Sequence, residues 1–235
     1  MKTLELTPLS GSYAATRDAL HRLAVYVVSP AQRITNGEII LRATPGGFGT
    51  AMLAGGQVRV DGTDLVVEHG GETRRAPITT LNQMAALVGI EPDVAQQEQF
   101  DVPPHGDLDQ PLAVDAAAVA DLAEWFAFTS DLLEALRAEA VPKDDVSPVR
   151  IWPEHFDAAI DLGDQQSGRR GTYGGSPGDR HHDQPYMYVS PWAGRIDDFF
   201  GDPTFKGASL THADIIAGAD PAAFLREARS RILDR

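Results

Sequence analysis

The sequence predicts an α+β protein, with two antiparallel β-sheets and a long central helix, the N- and C-terminal helices packing against them. Three observations carry this prediction. Between residues 37 and 77, short β-branched segments recur about every eight to twelve residues with turn dipeptides between them, the pattern of a meander. From 116 to 140, apolar residues recur at helical spacing over a length that no single strand reaches. From 149 onward, alternating segments return, and the chain closes on a capped amphipathic helix.

Taken in order, residues 12–28 read as the first helix. Leu20, Leu23, Ala24 and Val27 share a stripe, and Pro30 stops the helix soon after, while the β-branched Val25, Val27 and Val28 could instead open a strand. The strand segments are 38–44, 49–54, 57–60, 64–69 and 73–78, separated by Pro45-Gly46-Gly47, Gly55-Gly56, Asp61-Gly62 and Gly70-Gly71. Asp61-Gly62 is the strongest hairpin signal, joining Val58–Val60 to Leu65–Val67. Thr79-Thr80 opens a short helix that ends near Gly89.

Pro92, Pro103, Pro104 and Pro111 make 91–112 a linker. The chain is therefore read as one α+β domain, 1–235, with two loosely similar halves, 1–90 and 113–235. Asp115 is placed to cap the long helix, which would span roughly 35–40 Å. Ala118, Leu122, Trp125, Leu132 and Leu136 form its seam, widened by Val119, Phe126 and Leu133. Val149–Leu162 is read as an alternating strand that, because Pro153 cannot donate to a ladder, is either an edge or properly starts after that proline. Trp152, Phe156, Ala158, Ile160 and Leu162 take one face; His155, Asp157 and Asp161 take the other. Pro185–Trp192 is a second strand, with Tyr186, Tyr188 and Ser190 opposite Met187 and Val189. Asp220 and Pro221 start the last helix, with Phe224, Leu225, Ala228 and Ile232 as its stripe.

Composition narrows the function classes. A formal charge of −14 argues against nucleic acid and anionic membrane surfaces, because both need clustered Lys and Arg. The absence of cysteine excludes disulfides, thiolate metal sites and cysteine nucleophiles. The N-terminal M-K-T-L-E-L lacks the apolar core of a signal peptide, and no run approaches the ~20 residues needed to cross a bilayer. A cytoplasmic protein, able to form a homo-oligomer, is the expectation.

Several short motifs also carry a likeness. Ser147-Pro148-Val149, Phe156-Asp157 followed by Ala159, Ser167-Gly168-Arg169 and Tyr186-x-Tyr188 stand out in the second half. Leu20-His21 and Gly71-Glu72-Thr73 before Pro77 stand out in the first. Together these resemble an uncharacterised bacterial family, mainly actinobacterial, described only as a domain of unknown function. The resemblance implies a one-chain α+β domain and no particular activity. This sequence has Pro153-Glu154-His155 where that family carries a smaller Gly-Ser-like pair, so the resemblance implies no catalytic role for His155.

The run 147–192 concentrates two of the three tryptophans and three of the seven histidines beside a glycine-rich stretch. It is the candidate ligand site. The expected pocket lies between strands 150–162 and 185–192 under a loop at 163–184. Trp152, Arg169, Arg170, Tyr173, His181, Tyr186, Tyr188 and Trp192 would line it. The paired arginines, among glycines able to converge backbone N–H groups, suit a small and anionic molecule. Glu154, His155 and Asp157 are the acid–base candidates. A metal-dependent enzyme would draw its ligands from His155, Asp157, His182 and His212. A non-catalytic interaction module, with the aromatics in a core or dimer surface, is the alternative.

Overall fold

The computed structural model describes residues 6–52, 55–194 and 196–234. The N-terminal Met-Lys-Thr-Leu-Glu, where no signal peptide is expected, and positions 53–54 of the 49–54 segment lie outside them. Among the described residues, no helix is long and apolar enough to cross a membrane. Two five-stranded antiparallel sheets and seven α-helices among the described residues make an α+β fold. The chain divides into two compact units: Leu9–Ala127 with Ile151–Phe156, and a C-terminal unit of Phe128–Arg150 and Asp157–Arg235.

In the first unit, α1 (Tyr13–Leu23) does not stop before Pro30 as the sequence suggests. It runs through a π-helical segment, Ala24–Val28, into α2 (Ser29–Asn36). Proline lacks an N–H and leaves the carbonyl four residues back without its helical donor. That carbonyl belongs to Tyr26, and it accepts from the Asp93 N–H at 3.0 Å. A long-range hydrogen bond thus replaces the local one, and the helix survives its proline. It ends instead at Gly37, in the left-handed conformation.

The first sheet has the order β1 (Arg42–Thr44), β2 (Gly47–Gly49), β3 (Gly56–Asp61), β4 (Asp64–His69) and β5 (Glu72–Pro77). The hairpin read at Asp61-Gly62 is present, with Val60 opposite Leu65 and Val58 opposite Val67. Gly62 opens its two-residue loop at φ +61°, which a side chain would resist. Thr80 caps α3 (Leu81–Val88), and the short α4 (Gln96–Gln99) falls within 91–112. The core includes Leu20, Leu23, Tyr26, Phe48, Leu65, Leu81 and Phe126, all fully buried.

The long helix, α5 (Ala116–Ala138), starts on Asp115, whose carboxylate accepts the N–H groups of Ala117 and Ala118 at 3.1 Å. Its predicted seam is buried except at Leu132, which is half-exposed.

The expected strand over 149–162 is broken. β6 (Arg150–Trp152) and β7 (Asp157–Asp164) flank a turn at 153–156, closed by the Phe156 N–H donating to the Trp152 carbonyl at 2.6 Å. Phe156 sits at φ +56°, uncommon for a bulky residue. Its ring offsets that strain. It stacks on His21 at 4.9 Å and meets Phe48 and Phe126 edge-on at 5.0 and 5.2 Å.

In the second unit, β7 pairs with β8 (Arg169–Ser176), β8 with β9 (Tyr186–Pro191), and β9 with β10 (Ala208–Thr211), all antiparallel. The glycine-rich stretch is therefore not a loop over the sheet but one of its central strands, and only 177–185 remains as connection. After β10 come α6 (His212–Ile216) and α7 (Pro221–Leu233), the latter capped by Asp220 as expected. Ala158, Ile160, Leu162, Tyr173, Met187 and Val189 form the apolar face, and Leu225, Ala228 and Ile232 bury the inner stripe of α7.

Candidate functional site

The opposite face of this sheet is polar, and its register can be read strand by strand. Residues directly across an antiparallel ladder share a face. Asp161, Thr172 and Ser190 form one such row. Ala159, Gly174, Tyr188 and Ser209 form the next. Ser176, Tyr186 and Thr211 form a third, with Asp157 at the adjoining end of β7. The alternation that buries Met187 and Val189 thus puts an array of hydroxyls and carboxylates on the other side.

Gly174 organises the middle of this face. A Cβ there would lie 2.6 Å from the Tyr188 ring and 2.7 Å from its hydroxyl oxygen. The missing side chain lets Tyr188 lie flat across β8 and donate its hydroxyl hydrogen to Asp157 on β7. Burial first, then the Asp157 charge, pushes the Tyr188 phenol well above its ordinary pKa. Tyr186 makes the parallel contact, donating to Asp179 at 2.6 Å, and burial followed by that carboxylate raises its pKa too. Both phenols therefore stay protonated donors. Burial would raise the Asp179 pKa, but the Tyr186 hydroxyl and the N–H groups of His181 and His182 outweigh it and hold the carboxyl below its usual range. His182 lies against Tyr186 at 4.4 Å, and Phe205 packs near both tyrosines. This end is closed, with Asp157, Ser176 and Tyr186 all buried.

The other end is open. Trp192 retains 47% of its surface yet is firmly held. Its indole N–H donates to the Thr172 hydroxyl at 2.9 Å, and that hydroxyl donates to Asp161 Oδ1 at 2.8 Å. The Arg170 guanidinium lies 4.8 Å from the ring centre on one face. Arg170 is itself buried, and its Nη1 donates to the Asp145 carbonyl at 2.8 Å and the Gly163 carbonyl at 2.9 Å. A further contact reaches the Asp145 carboxylate at 3.2 Å. Its Nη1 is thus directed at protein acceptors.

The remaining sequence candidates fall as follows. Arg169 pairs in register with Asp164 at the strand end. Tyr173 is buried on the apolar face. His181 is exposed in the 177–185 connection, where its Nε2 accepts from Arg180. Trp152 and Glu154 belong to the first unit and are half-buried. The expected sharing of a strand face by His155 and Asp157 is overturned. The turn at 153–156 leaves His155 exposed, while Asp157 is buried under Tyr188. The anion cradle meets the same obstacle, because the N–H groups of 169–176 belong to a strand laddered on both sides. His212 is buried at the start of α6, its N–H donating to the Pro185 carbonyl. Among the described residues, no group of three or more His, Cys, Asp and Glu side chains could hold a metal ion.

Sequence reasoning missed Asp161, Thr172, Gly174 and Ser190 as members of the site. Their signal is faint: alternation puts Asp161 with Asp157, and Ser190 with Tyr188, but nothing local marks the cross-strand partners. No protein-family model, curated protein or solved structure matches this chain. The chemistry of this face therefore stands on its geometry.

Proposed function

We propose that this protein binds a small polar molecule on the polar face of its second sheet, entering at the Trp192 end. The observation that carries this reading is the hydrogen-bonded row from Trp192 through Thr172 to Asp161, fixed at the open end of a face whose other end is sealed. Recognition surfaces gain affinity when their polar and aromatic groups are held in place before the ligand arrives, since less freedom is lost on binding. Asp157, Asp161 and Asp179 on or beside this face favour a hydrogen-bond-donating ligand over an anion, and the Arg170 Nη1 already donates to Asp145. The reading is of binding, with no covalent step assigned.

The test is backbone amide NMR with three mixtures of small probes: neutral polyols, primary amines and carboxylates. The expected result is that at least one of the first two mixtures shifts amides clustered at 161, 172, 190 and 192. Shifts confined to other surfaces, or none with any mixture, would refute the assignment.

A further inference from the structure

Resting on that reading, we infer that the open end of this face is a subsite for a neutral cyclic polyol of the pyranose class, stacked on Trp192 and hydrogen-bonded to Asp161. Three features of the geometry point to this chemistry.

The first is the state of the indole. An exposed tryptophan is often a loosely held side chain, but here the ring N–H and one ring face are both engaged. Arg170 lies over one face, and Trp192 as a whole keeps 47% of its surface exposed. The result is a rigid, flat apolar platform standing in water. A pyranose offers a matching surface, because its axial C–H groups form an apolar patch of similar size. An aromatic ring held in this way loses little freedom when the patch settles on it.

The second is the acceptor beside the platform. Asp161 Oδ1 is occupied by the Thr172 hydroxyl at 2.8 Å, and the Asp161 N–H donates to the Ser147 hydroxyl at 2.9 Å. The Thr172 bond orients the side chain, which is only partly buried. Its second oxygen is a further acceptor in the same row as Thr172, suited to a ring hydroxyl. The Ser190 hydroxyl in the same row donates to the Lys206 carbonyl at 3.1 Å, which leaves its lone pairs for a second hydroxyl.

The third is charge selection. A cation on the free face of Trp192 would share the ring with the Arg170 guanidinium across its thickness, and the two positive charges would oppose each other. An anion would stand beside the Asp161 carboxylate, and the two negative charges would oppose each other. A neutral ring with equatorial hydroxyls incurs neither cost. A flexible linear polyol supplies the same hydroxyls without the apolar patch and loses more rotational freedom on binding.

The test titrates the full chain with D-glucose, D-galactose and N-acetyl-D-glucosamine, with D-sorbitol, choline and glucose 6-phosphate as comparators, read by saturation-transfer NMR. At least one pyranose should bind with a dissociation constant on the order of 1 mM, and ahead of all three comparators. Trp192→Ala should weaken it at least about tenfold, as should Asp161→Asn, while Trp192→Phe should retain part of the affinity because a flat ring remains. Amide spectra of each variant confirm that the sheet is intact.

Absence of binding by all three pyranoses to the wild-type protein would overturn the inference, as would affinity unchanged in Trp192→Ala. Choline or another amine binding at 161 and 192 would overturn the polyol assignment yet leave the polar-face reading standing. Silence from every probe would remove both.

Discussion

Gly174→Ala is the most direct probe of how this sheet face is built. The added methyl carbon would stand 2.6 Å from two atoms of the Tyr188 ring, a separation that packed atoms do not adopt. The ring must lift, and its hydroxyl then leaves Asp157, a buried carboxylate at 4% exposure. Overpacking of this kind costs about 1–3 kcal/mol. Losing a hydrogen bond to a charged group costs a further ~1.5–3 kcal/mol. Alanine's lower backbone freedom in the unfolded chain returns about 0.5–1 kcal/mol. The net expectation is a destabilisation of about 1.5–5.5 kcal/mol, lowering Tm by roughly 3–20 °C in a chain of this length. Urea unfolding of a double-mutant cycle isolates the cause. In a Tyr188→Ala background the clash and the hydrogen bond are both gone, so Gly174→Ala should be neutral or mildly stabilising. A cost under about 0.5 kcal/mol in the wild-type background, or an equal cost in both, would refute the account of Tyr188 lying over Gly174.

Two further predictions test other joints of the structure. Burial holds the His21 imidazole down to about 4 from its usual 6.5, aided by Arg17 and His155 and opposed by hydrogen bonding to the Pro153 carbonyl. The unfolded chain therefore binds the extra proton first, and stability should fall as pH drops from 6.5 toward 4, by up to about 3 kcal/mol, then level off below. Unfolding measured across that range should flatten in His21→Gln, and an unchanged slope would exclude His21 as the source. Arg170→Lys should destabilise by about 1–3 kcal/mol, because an ammonium cannot both reach the Asp145 and Gly163 carbonyls and lie flat beneath Trp192. Denaturant unfolding gives the cost, and acrylamide should quench Trp192 more readily in the variant; no change in either measurement would contradict the buried role of Arg170.

Much of the fold was legible because its signals are local. The Asp61-Gly62 hairpin, the Thr80, Asp115 and Asp220 caps and the alternation of Tyr186 through Ser190 each follow from residues a few positions apart. The two main misreadings share one cause. Pro30 should end a helix, but the Asp93 N–H satisfies the carbonyl it strands. Glycines at 171, 174 and 175 look like a loop, but a Cβ at each would crowd Ile232, Tyr188 and Thr129 respectively. In both cases the deciding partner is far away in sequence. The same holds for the site, where Arg170 was visible as an anomalous charge while the groups that claim it were not.

The sequence by itself determined the α+β class, most helix starts, and the inward and outward sides of β7 and β9, because periodicity and capping chemistry act over a few residues. Only the tertiary structure decided that the glycine-rich stretch is a central strand, that Tyr188 reaches Asp157 across it, and that Trp192 is pinned between Arg170 and Thr172. The physical reason is that a glycine required for close approach and a glycine required for flexibility are the same residue. What distinguishes them is the side chain that occupies the vacated space, and that neighbour is fixed by strand register rather than by anything adjacent in the chain.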